Sequence, residues 1–373
     1  VKLILISVSA GAGHVRAAQA LEAAATRLGQ HVTAVHIDAM ELVPKLFRSV
    51  YAESYIKLIN MAPALWSWLY HSTDRPKAAD RITKIRQSIE RLNTRRLIAK
   101  LRELDGDAII CTHFLPAQLL SRLIRRGEWK RPVWVQVTDY DVHALWVHDH
   151  LNGYFAADDE IGWRMAERGI DPATVHVTGI PIHPVFAETR DRATCAAELG
   201  LDPKRPTVLL MSGGHGVGDL TALAERLLSL PGDQQLITLA GRNAKLLDRL
   251  QKLALAHPGR LLPLGFTSTI ERVMACADLA VSKPGGLTTA ECLAVGLPMI
   301  VVSPIPGQEE RNMHYLLEGG AAWQACDAAA LAYRVQRLLG DPAKLQQMTA
   351  NARRLGRPNA AREVLEVVLH DLA

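Results

Sequence analysis

Twice in this chain an apolar run of strand length feeds into a cluster of glycines and then into a helix-forming stretch, and this repeat restricts the possible folds more than any other feature. Residues 2–9 (KLILISVS) are broken by Ala10-Gly11-Ala12-Gly13-His14, and an alanine-rich helical pattern follows over 16–28. Residues 207–211 run into Ser212-Gly213-Gly214-His215-Gly216-Val217-Gly218, again ahead of a helical pattern. Further short apolar runs lie at 31–37, 108–112, 132–138 and 153–157, and then at 235–240, 261–264, 279–282 and 298–302, separated by helix-like segments. Strands alternating with helices predict parallel sheets and an α/β protein.

The proline-rich segment 179–184 can continue neither a helix nor a central strand, and it sets a domain boundary. The spacing therefore predicts a first domain over 1–182, a second over 183–358, and an amphipathic helix over 359–373 able to pack back on the first. Two such sheets facing each other leave a cleft lined by the loops at the carboxyl ends of their strands. Both glycine loops are expected to point into it.

With 49% hydrophobic and 22% charged residues in 373, the chain has the composition of an ordinary globular protein. No stretch approaches the roughly 18–20 uninterrupted apolar residues of a spanning helix, and the N-terminus enters a strand pattern without a basic leader, so a cytoplasmic location is expected. The five cysteines are dispersed and form no CxxC pair, which fits reduced packing residues better than a disulfide frame or a metal site. A formal charge of +5 suits an anionic partner. The excess is concentrated: between Arg75 and Arg102 there are ten Lys or Arg and two acids. Just before it, residues 64–70 (ALWSWLY) gather Leu65, Trp66, Trp68, Leu69 and Tyr70. Indole and phenol rings favour membrane interfaces, and basic side chains such as Arg81 and Lys84 each add about 1 kcal/mol of attraction to anionic lipid. The pair reads as a monotopic surface anchor, or else as a core helix followed by a solvated one.

Glycines let backbone N–H groups approach a phosphate, and a following helix adds the positive end of its dipole. Neither loop matches a GxxxxGK[ST] or GxGxxG pattern, so ATPase and dehydrogenase readings lack their expected chemistry, and either loop alone also fits a tight strand-to-helix turn. Residues 282–291 (SKPGGLTTAE) say more. Lys283, the turn Pro284-Gly285-Gly286 and a helix start with Thr288 suit a diphosphate, and Glu291 can accept two hydrogen bonds from a ribose diol. An acid favourably placed near a helix N-terminus is the plainer alternative. In the loop 304–312, Gln308, Glu309 and Asn312 can meet sugar hydroxyls, or simply begin a solvated helix. The histidines of HALWVHDH (143–150) lack an HExxH pattern and a carboxylate set, so no metal site is expected.

The ordered motifs SAGAGH (9–14), MSGGHGVG (211–218), KPGGLTTAE (283–291) and PGQEERN (306–312) resemble those of the monogalactosyl- and glucosyl-diacylglycerol synthases, relatives of the peptidoglycan N-acetylglucosaminyltransferase. VTDYDVHALWVH (137–148), TGIPIHPVF (178–186) and the insert with Tyr51, Tyr55 and ALWSWLY are similar too, so the resemblance spans nearly the whole chain. It implies two Rossmann-like domains in the glycosyltransferase-B arrangement, and metal-free, cofactor-free transfer with inversion. The implied partners are a UDP-sugar donor, a diacylglycerol acceptor and an anionic phospholipid surface at the cytoplasmic face of the membrane. Carried over by motif, His14 corresponds to the family's candidate base and Gly213 with Gly214 to its diphosphate-contacting loop, while Gly13, Gly285 and Gly286 are expected to bind the donor as well. Phe266 stands where the family holds uracil, Glu291 where it holds ribose, and Gln308 with Glu309 where it grips the hexose. His143 and Trp146 fall along the acceptor path by the same analogy.

Inverting transfer needs a base on the acceptor side and charge stabilisation on the leaving side. His14, with a reference pKa near 6.5, suits the first task, although it can also merely fill the helix start. Asp139, close after a strand, is a second candidate, as base or as partner of a histidine. A soluble UDP-sugar enzyme of the same architecture, such as a 2-epimerase or a transferase to a small acceptor, is the alternative that needs no aromatic segment. A nucleic-acid-binding reading finds no recognition motif and leaves the glycine loops unexplained.

Overall fold

A computed structural model describes residues 1–9, 11–44, 74, 95–211 and 220–373. Leu65, Trp66, Trp68, Leu69, Tyr70, Arg81, Lys84, Gly213 and Gly214 all lie outside the described residues. The chain divides into two units. Val1–Pro184, Ile305–Gln308 and Asn359–Ala373 make up unit 1, and Val185–Pro304 with Glu309–Pro358 make up unit 2.

Unit 1 runs β1 (Lys2–Ser7), α1 (Ala12–Leu28), β2 (Thr33–Asp38), α2 (Arg95–Leu104), β3 (Ala108–Cys111), α3 (Phe114–Arg125), β4 (Val133–Gln136), β5 (Gly153–Ala156), α4 (Asp159–Glu167) and β6 (Val175–Val177). Its strands pair in parallel in the order β2-β1-β3-β4-β5-β6. The chain leaves β1 to one side for β2 and returns to the other for β3, so the sheet has a topological switch point between β1 and β3.

Unit 2 repeats the plan. It runs α5 (Arg192–Leu199), β7 (Thr207–Met211), α6 (Leu220–Leu228), β8 (Gln235–Leu239), α7 (Ala244–Ala256), β9 (Leu261–Leu264), α8 (Ile270–Cys276), β10 (Leu279–Ser282), α9 (Gly286–Val295), β11 (Met299–Val302), α10 (Gln308–Glu318), β12 (Ala322–Ala325), α11 (Ala328–Leu339) and α12 (Pro342–Leu355). The order β12-β11-β10-β7-β8-β9 places its switch point between β7 and β10. In each sheet, then, the strand that precedes a glycine cluster in the sequence borders the reversal.

The central strands are buried on both faces, which is why they read as unbroken apolar runs. Leu3 and Leu5 of β1 pack with Ala18, Leu21 and Ala25 of α1 and with Ala108 and Ile110 of β3, while Ile4 and Ile6, of opposite parity, are equally buried. The last helix, α13 (Ala360–Asp371), supplies Ala361, Val364, Leu365 and Val368 to this same core of unit 1. A second core joins Val208, Leu210, Leu236, Leu279, Val281 and Ile300 to α6, α7, α11 and α12.

Because Leu365 is wholly buried against the unit 1 core, Leu365→Ala should lower unfolding free energy by about 2–5 kcal/mol. Chemical denaturation followed by circular dichroism checks this. A change below about 0.5 kcal/mol would mean that α13 contributes little to the core.

Candidate active site

The carboxyl ends of β1, β3 and β4 converge beside the unit 1 switch point. His14 sits in the first turn of α1, whose N-cap residue, Gly11, offers no side-chain acceptor. Its Nδ1 lies 2.8 Å from the carbonyl oxygen of Thr112, just past β3, and 3.0 Å from the hydroxyl oxygen of Thr138, just past β4. A carbonyl oxygen can only accept, so Nδ1 carries the proton and donates it, with the Thr138 oxygen as a second acceptor. Nε2 is thereby left as the basic nitrogen. The Thr112 hydroxyl in turn donates to the backbone carbonyl of His14 at 2.9 Å.

The His14 ring is hemmed by His113, in an edge-on contact with centroids 4.6 Å apart, and by Trp146 at 6.1 Å. Phe114 completes the group, 4.2 Å from His113 and 5.8 Å from Trp146. Burial among these rings lowers the His14 pKa to about 4, opposed by the hydrogen bond to Thr112. His14 is therefore neutral at neutral pH. His113 has the opposite tautomer, because its Nδ1 accepts from Leu115 N at 3.1 Å and caps α3. His143 caps the short 3₁₀ turn Ala144–Trp146 in the same way, accepting from Leu145 N at 3.1 Å. Asp139 follows Thr138 and is half-buried.

In unit 2 the turn after β10 leads into α9, whose N-cap is Gly285 and again lacks a side-chain acceptor. Most other helix starts with a described cap are closed by Asp or Asn side chains, as at Asp158, Asp191, Asn243, Asp327 and Asp341. The first amides of α9 thus keep their capacity for an anion. Lys283 and Thr288 are half-buried beside this start, and Gly286 is buried. Asn312 is fully buried and donates through Nδ2 to the carbonyl of Pro284 at 3.0 Å, tying α10 to the turn. Glu309 faces the same turn: a methyl group on Gly285 would stand 3.9 Å from its Oε1. Glu291 is buried in α9 at 2% exposure, and Gln308 opens α10 half-buried. Phe266, after β9, is 67% exposed, with the Arg242 guanidinium 5.1 Å over its ring.

The structure thus brings Lys283, Gly285, Gly286, Glu309 and Asn312 together around one turn, and His14 and Trp146 around another. Sequence reasoning passed over Thr112, His113, Phe114 and Thr138. Each lies within three residues of a strand's carboxyl end, and the rule that ligands gather at the carboxyl ends of parallel strands singles out such positions.

Residues 14–182 match the family model for monogalactosyldiacylglycerol (MGDG) synthase, and residues 207–364 match that for the glycosyltransferase family 28 C-terminal domain. The processive diacylglycerol beta-glucosyltransferases of Bacillus licheniformis and Bacillus subtilis are each 28% identical to this chain, over 99% of it and 94% and 95% of their own lengths. Among solved structures, Acinetobacter baumannii MurG superposes with a TM-score of 0.61 at 17% identity, covering 99% of both chains. Staphylococcus aureus MnaA in its UDP co-structure gives 0.65 at 11% identity, covering 100% of this chain and 96% of the other. The two Rossmann-like units and the paired domain matches define a glycosyltransferase of the glycosyltransferase-B type. Within that class, residues 14–182 belong to the monogalactosyldiacylglycerol synthase family and residues 207–364 to the glycosyltransferase family 28 C-terminal domain family, a pairing similar to that expected of the monogalactosyl- and glucosyl-diacylglycerol synthases.

The lowered pKa of His14 has a consequence for stability. Between its folded pKa of about 4 and the unfolded value near 6.5, the unfolded chain binds the extra proton, so His14 makes the protein lose stability as pH falls through that window. His14→Gln should therefore lose less Tm than the wild type between pH 7 and pH 4.5. Parallel Tm–pH curves for the two proteins would show that His14 titrates as an ordinary histidine.

Proposed function

We propose that the protein transfers a hexose from a UDP-sugar to diacylglycerol at a membrane surface, with inversion at the anomeric carbon and without a metal ion. The observation that carries this reading is the fixed tautomer of His14: with Nδ1–H committed to Thr112, Nε2 is the free base among the apolar rings of Phe114 and Trp146. In the proposed step the acceptor hydroxyl oxygen attacks the anomeric carbon as Nε2 takes its proton, and the bond to the UDP oxygen breaks on the opposite face. The proton moves to His14 and the electron pair leaves with UDP.

The leaving diphosphate carries negative charge that the open N-terminal amides of α9 and the Lys283 ammonium can meet, which supports a mechanism without metal. Buried Glu291 is suited to the ribose diol, and Glu309, Gln308 and Asn312 to the hexose. The names of the Bacillus relatives support diacylglycerol as acceptor. The Anabaena HepE complex with UDP-glucose, alike in fold at a TM-score of 0.57, makes a UDP-sugar donor reasonable. For the membrane surface, no helix among the described residues is long and apolar enough to cross a bilayer. Arg95, Arg96 and Arg102 of α2 are exposed, and in sequence they continue the basic run that includes Arg81 and Lys84, a charge that suits anionic lipid.

The test is transfer of labelled sugar from a panel of UDP-sugars into extractable lipid, using diacylglycerol vesicles with and without anionic phospholipid. Labelled lipid that increases with anionic phospholipid and persists in EDTA is expected. Release or isomerisation of the sugar without labelled lipid would replace this reading with that of a soluble UDP-sugar enzyme. His14→Ala should lower kcat by about 10²–10⁴-fold while calorimetry shows UDP binding unchanged, and near-normal turnover would remove His14 from the role of base.

A further inference from the structure

Asp74 has no place in the reading given so far. In sequence it separates the aromatic segment 64–70 from the basic run that begins at Arg75, and it is the one described residue between 45 and 94. Its carboxylate meets two separate parts of unit 1. Oδ1 lies 2.9 Å from Arg168 Nη1 and Oδ2 accepts from Arg168 Nη2 at 2.9 Å, a two-pronged pair. Oδ1 also accepts from the backbone N–H of Ala144 at 2.9 Å, and the Nε2 of His143 stands 3.9 Å away.

Both partners are held by structure of their own. Arg168 closes the C-terminus of α4, with its backbone N–H on the carbonyls of Arg164 and Met165, so its planar fork is presented from a rigid end. Ala144 begins the 3₁₀ turn that carries Trp146. The first two amides of this turn end on side-chain acceptors, Ala144 N on Asp74 and Leu145 N on His143, while Trp146 N donates to the His143 carbonyl. A turn of three residues has little cohesion of its own, so these acceptors decide where it sits. Trp146, 5% exposed, is the side chain it delivers against His14 and Phe114.

We infer that Asp74 is a positioning residue: its carboxylate fixes the Ala144–Trp146 turn, and through Trp146 the apolar wall beside His14, to the end of α4. An exposed ion pair alone would contribute little. This carboxylate is two-thirds buried and also satisfies a backbone donor, and such a charge-assisted bond is costly to lose. Burial opposes its ionisation, but Arg168 and the Ala144 amide outweigh it and hold the carboxyl below the usual range. Asp74 is therefore charged, as the pairing needs. The inference rests on the reading of the His14 face as the acceptor side only for its kinetic consequence, and the geometry stands apart from it.

The test uses the full chain with Asp74→Ala, Asp74→Asn and Arg168→Lys. Asp74→Ala removes both bonds, Asp74→Asn keeps an acceptor for Ala144 but loses the charge, and Arg168→Lys keeps the charge but loses the fork. Hydrogen exchange at the 144–146 amides should accelerate about tenfold or more in Asp74→Ala and less in the other two. In vesicle assays, the KM for diacylglycerol should rise about 5–20-fold while the donor KM and UDP affinity stay within twofold. Unchanged exchange at 144–146, or equal rises in both KM values, would overturn the inference. Should Asp74→Ala fail to fold, Asp74→Asn and Arg168→Lys carry the same two readouts. If the wild type labels no lipid, the proposed acceptor is wrong, and the exchange data still decide whether Asp74 holds the turn.

Discussion

The hydrogen bond from His14 to the Thr112 carbonyl depends on the pairing of β1 with β3, and the proposed role of His14 depends on that bond. The two strands pair in the register Leu3↔Ala108 through Ile6↔Cys111, and Thr112 N continues the ladder by donating to Ile6 O at 2.9 Å. This fixes the Thr112 carbonyl relative to the end of β1, from which the chain needs only a short loop to reach His14. Slipping the pair by one residue would turn every side chain of β3 to the other face and point the carbonyl away. The hydrophobic core that sets the register, Leu3 and Leu5 with Ala108 and Ile110, therefore also sets the tautomer of the histidine.

The helix termini separate structural from chemical positions by a similar logic. An Asp or Asn at the N-cap satisfies the first amides internally and stabilises the helix by about 1 kcal/mol. α1 and α9 forgo this at Gly11 and Gly285. Both follow strands that border a switch point, where a ligand can approach the sheet from its carboxyl end. Stability given up at these two places leaves open amides where an anion or a reacting group can use them. At the second turn, buried Asn312 donates to the Pro284 carbonyl and so holds α10 against the open helix start.

Much of the fold was legible because a sheet buried on both faces writes itself as continuous apolar runs. KLILISVS and the run at 207–211 could hardly be anything but central strands. The site was legible in part, and the division follows sequence separation. His14, Lys283, Gly285 and Glu291 sit inside local motifs, so their neighbourhood along the chain announces them. Thr112 and Thr138 are ordinary threonines after four-residue strands, and they acquire meaning only when β3 and β4 lie beside β1, some hundred residues away in sequence. Asp74 is harder still: an acid at the edge of a basic run looks like a solvated charge until Arg168 and Ala144 N are brought to it.

In its proposed role as base, His14 embodies a compromise. An unperturbed histidine of pKa near 6.5 is about one-quarter protonated at pH 7, so keeping it neutral by burial recovers little of the lost base. A pKa of about 4 costs far more in proton affinity than that recovery returns. Under the proposed reaction the aromatic wall has another purpose, which is to give an apolar acceptor a surface and to keep water from the attacking hydroxyl. Burial lowers the basicity of His14, while the bond to Thr112 raises it again, and the Thr138 oxygen faces the same Nδ1–H. In the proposed transfer of the proton to Nε2, the charge on the ring is already faced by two oxygens that need not move to meet it. On that proposal, preorganisation keeps a histidine packed among Trp146, Phe114 and His113 usable as a base.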